Sequence, residues 1–296
     1  MRCFRIRPIA FILLTGVIIL ILSAAGFIRM QAKILTKVWR HPITETPANV
    51  NLPYQNVTLS TADGMQLAAW YVPGRQPNAV ILVHGIHANR QATLPAAVML
   101  FEADYHVLML DLRGHGDSEG EQVSYGFYER LDVQAGVSYL MAKPEVENVG
   151  AIGYSLGGAA VAQAAANDGR LQAVVIQSSF SSLSDTVDDS FAEYTKWPKW
   201  PFAPFVVKAA EMELEVKIQQ IDSARALATI SPRPILIIHG SEDKLFPVHQ
   251  AFKLYQTAKE PKDLWVIEGM GHEYPFAHKR EYQQRVLAFF YEAFAK

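Results

Sequence analysis

A single cysteine, Cys3, stands in 296 residues. That excludes an internal disulfide and any metal site built on thiolates. It leaves the compartment open, because a core of this size needs no bridges even in an oxidising environment. Charge of one sign is lacking too. The 27 basic and 29 acidic residues leave a net charge of −2, whereas nucleic-acid binding calls for a basic excess. No internal repeat, low-complexity tract or G-x-x-x-x-G-K-[ST] phosphate loop occurs. With 50% hydrophobic, 11% aromatic and 19% charged residues, the chain has the composition of a globular domain rather than of a disordered one.

Long apolar runs are missing everywhere except near the N-terminus. Residues 8–28 read PIAFILLTGVIILILSAAGFI, 21 residues without a charge. At 1.5 Å per residue they reach across a hydrocarbon core of about 30 Å. A run apolar on every face suits a membrane better than a protein core. Arg2, Arg5 and Arg7 precede it, favouring a cytoplasmic N-terminus with the rest of the chain on the opposite side. Arg29, Lys33, Lys37 and Arg40 follow and weaken that bias. The alternative is a signal peptide cut near Ser23-Ala24-Ala25, which yields a secreted protein. The expected organisation is an anchor or signal over 1–28, a linker over 29–52 and one domain over 53–296.

Within that domain, two β-rich runs flank Asp63-Gly64, a hairpin signal. Short apolar runs then alternate with helix-length segments. The runs are 79–85, 106–111, 149–155, 173–178, 234–240 and 263–269, and the segments include 91–103, 125–142, 156–167 and 248–257. Near-continuous apolar strands separated by helices predict a parallel sheet covered on both faces, an α/β fold. Apolar positions at Phe276, Tyr282, Val286, Phe289 and Phe290 predict a closing amphipathic helix. More than 50 residues separate the strand ending near Ser178 from the one starting near Pro234. They include KWPKWPFAPF and a helical-looking stretch from Val206 to Ala228. An interval of that length predicts a cap, over about 183–230, across the C-terminal edge of the sheet. Its aromatics Trp197, Trp200, Phe202 and Phe205 read equally as an acyl pocket or as cap core.

The chemistry concentrates where strands end. Gly153-Tyr154-Ser155-Leu156-Gly157 follows the apolar run VGAIG and precedes the helix-forming LGGAAVAQAAA. A serine in such a strand-to-helix turn is exposed as a nucleophile, with helix N–H dipoles beside it. Serine needs a base to take its proton. Of nine histidines, His272 in EGMGHEYPF follows the last strand, where a loop carries it back over the sheet edge. His239 is the closest competitor but lies within a strand. A carboxylate must then orient the imidazole. Asp243, in GSEDKLFP, gives the chain order Ser155, Asp243, His272 and is preferred to its neighbour Glu242. The turn His84-Gly85-Ile86-His87 closes the first core strand. Backbone N–H groups of Ile86 and Leu156 are the candidate oxyanion donors, with the His84 side chain pinning the loop. Residues 111–118, DLRGHGDS, hold two carboxylates and a histidine, but the bracing of a tight turn accounts for them better than a metal.

The stretches LVHGIHANR, LDLRGHGDSEG, GYSLGG, HGSEDKLFP and GMGH together make the chain, over roughly 55–296, resemble the α/β-hydrolase superfamily. It looks closest to the membrane-anchored esterase and serine-aminopeptidase-like branch that includes monoacylglycerol-lipase-like proteins. The resemblance implies an eight-stranded, mostly parallel sheet with a helical cap between strands 6 and 7. It implies a Ser155–Asp243–His272 triad and acyl transfer to water through an acyl-enzyme, without cofactor or metal. The sequence departs from lipases with an H-G-G-G loop, since Ile86 and His87 occupy the later positions. The expected activity is hydrolysis of short, medium or lipid-derived carboxylic esters. Two readings stand beside it. An aminopeptidase or amidase needs a cap carboxylate to hold an amine, and Glu211, Glu213 and Glu215 read instead as a solvated face. A non-catalytic hydrolase-fold binding protein typically lacks a triad member.

Overall fold

The computed structural model describes residues 8–275 and 279–295. Arg2, Cys3, Arg5, Arg7, Phe276 and His278 therefore lie outside the described residues. Eight strands form one sheet: β1 Gln55–Ser60, β2 Gln66–Val72, β3 Asn78–Val83, β4 His106–Leu110, β5 Asn148–Tyr154, β6 Leu171–Gln177, β7 Ile235–Gly240 and β8 Lys262–Ile267. Their spatial order is β1-β2-β4-β3-β5-β6-β7-β8. The β1–β2 and β2–β4 pairs are antiparallel and the others parallel. Helices are α1 Pro8–Thr36, α2 Leu94–Glu102, α3 Glu129–Met141, α4 Leu156–Asn167, α5 Leu183–Thr195, α6 Lys199–Leu214, α7 Ser223–Leu227, α8 His249–Thr257 and α9 Lys279–Phe294.

The apolar runs are continuous because both faces of the sheet are covered. Along β3, Ile81 and Val83 join the core that holds Val133 and Val137 of α3, Val161 of α4 and Leu254 of α8. Val80 and Leu82, pointing the other way, join the core that holds Leu94 and Met99 of α2 and Tyr282, Val286 and Phe290 of α9. Period-two alternation thus feeds two cores from one strand. Asp63-Gly64 sits in the β1–β2 turn. Gly64 takes φ +90°, and Met65 donates its N–H to the Thr61 hydroxyl.

Predicted helices shorten where the backbone turns. The segment 125–142 is helical only from Glu129, because Tyr125 and Gly126 take φ 55° and 104°. The stretch from Val206 to Ala228 is not one helix. Glu215 enters the left-handed region (φ 56°) and closes α6, and α7 starts afresh under an Asp222 cap. Helices α5, α6 and α7 all lie between β6 and β7.

Helix α1 is long and apolar enough to cross a membrane by length and composition, with a mean hydropathy of 2.7. The side chains from Phe11 to Gly26 are exposed. Further along, Ala32 and Thr36 are buried and Ile28 and Leu35 half-buried, a helical spacing that marks one docked face. Ile28 and Leu35 pack with Phe191 of α5 and Val206 of α6. The stretch 29–52, expected as a linker, therefore continues α1 through Thr36. Thereafter Val38 N–H donates to the Glu121 carbonyl, and the Arg40 guanidinium donates to the carbonyls of Gly116, Ser118 and Gly120 at 2.5–2.8 Å.

Candidate active site

Ser155 lies between β5 and α4 with φ 54° and ψ −117°, a conformation a serine adopts only when its surroundings impose it. The two flanking glycines explain how the turn closes. A Cβ on Gly153 would collide with the Gly157 carbonyl, and one on Gly157 with the carbonyls of Val83 and His84. The backbone is clamped further by the Ser155 N–H donating to Gln177 O at 2.8 Å and by Ser179 Oγ donating to Ser155 O at 2.8 Å.

His272 follows β8 on the loop and reaches back over the sheet edge. Its Nε2 lies 3.1 Å from Ser155 Oγ and its Nδ1 2.8 Å from Asp243 Oδ2. Asp243 is fixed in turn, its Oδ1 accepting the N–H groups of Leu245 and Phe246 at 2.9 Å. Glu242 takes no part; its N–H is spent on the Met270 carbonyl. A carboxylate on Nδ1 holds the proton there and leaves Nε2 free to accept the serine proton. His239, the competitor, is fully buried and bonded through Nε2 to the Phe246 carbonyl at 2.7 Å; burial lowers its pKa.

Beside the serine, Leu156 N–H opens α4, where first-turn amides have no intrahelical partner. Among the described residues, no protein group accepts from the N–H of Leu156 or of Ile86. The His84 side chain is fully buried between the Gly85 carbonyl, 2.7 Å from Nδ1, and the Leu112 N–H, which donates to Nε2 at 3.2 Å. Burial lowers its pKa to about 4, so it pins its loop as a neutral ring.

The 111–118 loop is a brace. Asp111, fully buried, accepts the Arg90 N–H at 2.6 Å, the Arg90 guanidinium and the Asp117 N–H at 2.9 Å. Arg113 bridges Asp132 at 2.7–2.9 Å and Asp63 at 2.7 Å. Each carboxylate is thus answered by a guanidinium, and among the described residues no group of three His, Cys, Asp or Glu side chains is placed to hold a metal ion.

An apolar cavity lies beside His272, reached through Phe246. Phe246 and Phe180 line it with ring centroids 5.2 Å apart, and the Phe246 ring stands edge-on to His272 at 5.1 Å. Phe191, Val206 and Leu214 line it from α5 and α6, and Leu35 and Thr36 from α1. None of Trp197, Trp200, Phe202 and Phe205 lines this cavity, and of the four Phe202 packs against the small core of Phe191, Ala203 and Val206. Trp200 is 79% and Phe205 57% exposed, while Trp197 packs edge-on against Phe27 of α1 and against Phe202. Glu211 departs from the solvated face expected for it. Its side chain is only 12% exposed, accepts the Ile218 N–H at 3.1 Å and faces Lys208 and Lys217.

Phe180 and Ser179 carry no motif, and Phe246, inside HGSEDKLFP, has no role that the sequence alone assigns. Only their position just past β6 and β7 marks them, since strand ends on this edge face the site.

Comparisons with known proteins bear on the family and the fold. The model of the Peptidase S9, or prolyl oligopeptidase, family matches residues 92–296. The chain belongs to that family. Among solved structures, the esterase Pf2001 of Pyrococcus furiosus superposes with a TM-score of 0.72 at 25% identity, covering 86% of this chain and 99% of that one. Among curated relatives, the uncharacterized protein YfhR of Salmonella typhi is 29% identical over 77% of this chain and 76% of its own. The alpha/beta hydrolase domain-containing protein WAV2 of Arabidopsis thaliana is 27% identical over 74% and 70%. The fold is that of an α/β hydrolase, and the protein is a hydrolase.

Proposed function

We propose that the protein is a serine hydrolase that cleaves carboxylic esters through an acyl-enzyme. The observation that carries this reading is Ser155 Oγ, on a strained turn, 3.1 Å from a histidine whose far nitrogen is 2.8 Å from a buried carboxylate. Ser155 Oγ attacks the ester carbonyl as His272 Nε2 takes its proton, and Asp243 stabilises the imidazolium. The N–H groups of Ile86 and Leu156 hold the oxyanion. The C–O bond to the alcohol breaks as His272 returns the proton to the leaving oxygen. Water, deprotonated by His272, then cleaves the acyl–serine bond and frees the acid and Ser155.

An ester is supported over an amide by the apolar cavity beside His272 and by the likeness to an esterase. The family's name points to peptides, and an amine-holding carboxylate would favour them. Glu211, which lines the cavity, is already engaged by two lysines and a backbone amide. The helical insertion over 183–230 acts as a cap, and α1 as a single-pass anchor with a cytoplasmic N-terminus, the active site lying on the opposite side.

A fluorophosphonate probe tests the central point on the full-length chain in detergent. Wild type is expected to label, and Ser155→Ala and His272→Ala to lose labelling. Unlabelled but folded wild type sinks the hydrolase reading and leaves a binding protein on a hydrolase fold.

A further inference from the structure

We infer that α1 is a wall of the acyl site as well as an anchor, and that the substrate is a single-chain acyl ester drawn from the bilayer along it. The inference rests on the serine-hydrolase and anchor readings above.

Two halves of α1 behave differently. From Pro8 to Gly26 the helix spans about 28 Å at 1.5 Å per residue, close to a hydrocarbon core. The first charge after the run is Arg29, so the bilayer surface falls near Phe27. There the same helix, without an intervening loop, docks on the insertion through Ile28, Ala32 and Leu35. Its last turn is held by Tyr125 Oη donating to Leu35 O at 2.6 Å and by Val123 N–H donating to Thr36 O at 2.8 Å. A rigid joint of this kind fixes the catalytic domain against the membrane instead of letting it swing on a tether.

The same joint sets the cavity. Leu35 and Thr36 of α1 line it together with Val206 and Val207 of α6, and so does Phe246, whose ring meets the His272 ring. One side of the site is thus made by residues immediately beyond the membrane-spanning run. The surface beside it suits a bilayer. Trp197 rests on Phe27, and Trp200, Phe205 and Met212 of α6 are exposed at 79%, 57% and 68%. Large exposed apolar side chains on a helix packed against a membrane span are the pattern of interfacial anchoring. Lys196, Lys199 and Lys208 stand among them, each near a carboxylate, at 3.0 Å from Glu193, 2.7 Å from Asp188 and 3.4 Å from Glu211 respectively. The cavity walls are almost wholly apolar, so they match a hydrocarbon chain rather than a peptide or a sugar. With its carbonyl at Ser155, such a chain runs past Phe246 toward α1, and a monoacyl amphiphile already in the bilayer enters without crossing water.

The test uses the full-length protein in dioleoylphosphatidylcholine vesicles with p-nitrophenyl butyrate and palmitate. Wild type is expected to show the higher kcat/KM on palmitate. Leu35→Trp and Val207→Trp, which fill the cavity from α1 and from α6, should each lower the palmitate-to-butyrate ratio by about tenfold. Trp200→Glu combined with Phe205→Glu should lower palmitate turnover on vesicles about fivefold more than in detergent micelles, through lost interfacial contact. Preference of wild type for butyrate, or a ratio unmoved by both cavity-filling variants, overturns the inference while leaving the hydrolase reading intact. Loss of both turnover and Ser155 labelling in wild type instead sinks the underlying reading.

Discussion

The loops around Ser155 and the helices across the cavity from it are built by opposite means. On the loop side, polar groups are buried and answered one by one: Asp111 by Arg90, Asp132 by Arg113, Asp243 by His272. On the helix side, α5, α6 and the end of α1 meet through Phe191, Val206, Ala203 and Leu35, and large aromatics are left facing outward. Directional bonds set the position of a reacting atom to within a few tenths of an ångström, whereas apolar packing tolerates shape change and accommodates chains of differing form. The first kind of construction suits chemistry and the second suits binding.

Substitutions sharpen that contrast. The largest effect is expected from Asp243→Asn, which keeps an oxygen for the amides of Leu245 and Phe246 but mis-sets the His272 tautomer. Its kcat on a soluble ester should fall about 10⁴-fold, read by stopped-flow kinetics. Arg90→Ala leaves Asp111 as a buried charge facing two amides alone, and urea titration should register a loss of about 3–5 kcal/mol. Gly157→Ala presses a methyl group on the Val83 and His84 carbonyls and should cost about 1–3 kcal/mol in the same titration.

The pH dependence of stability comes from the loop side as well. Burial holds His84 at about 4 and His115 at about 3, both below the ordinary 6.5, with His84 and His115 rings 5.0 Å apart and Arg90 adding to the lowering at His84. The unfolded chain therefore binds protons that the folded one refuses. The stability contributed by these two histidines is full above pH 6.5 and is lost as pH drops toward 4; thermal melts across that window should show Tm falling less with pH in His115→Gln than in wild type. The smallest effect is expected across the cavity. Trp200→Ala removes a ring that is 79% exposed and should change stability by less than about 0.5 kcal/mol. A large cost there would mean that the insertion is held as tightly as the loops, and the contrast would fail.

The sheet was legible because its strands are buried on both faces, so each one reads as an uninterrupted apolar run. Helix α4 was legible to the residue, since Ser155 and Asn167 bound a stretch rich in alanine. The three groups at Ser155, Asp243 and His272 were readable from chain order and post-strand position, which the fold couples to space. What escaped was set by packing. Nothing in WPKWPFAPF says that Phe202 packs inward while Trp200 and Phe205 turn outward, because all of them suit a core. Glu211 looked solvated by its spacing with Glu213 and Glu215, and only the turn at Glu215 brings Ile218 N–H back onto it. The end of α1 looked like linker because its docked face, Ile28, Ala32 and Leu35, is short and interrupted by Arg29 and Lys33.

The most direct test of the account is acid-quenched reaction of the full-length protein with p-nitrophenyl butyrate, followed by peptide mass mapping. A burst of p-nitrophenol with the butyryl group on the peptide carrying Ser155, absent from Ser155→Ala, is the predicted result. Turnover that persists in Ser155→Ala, or an acyl group mapped to another residue, would contradict it.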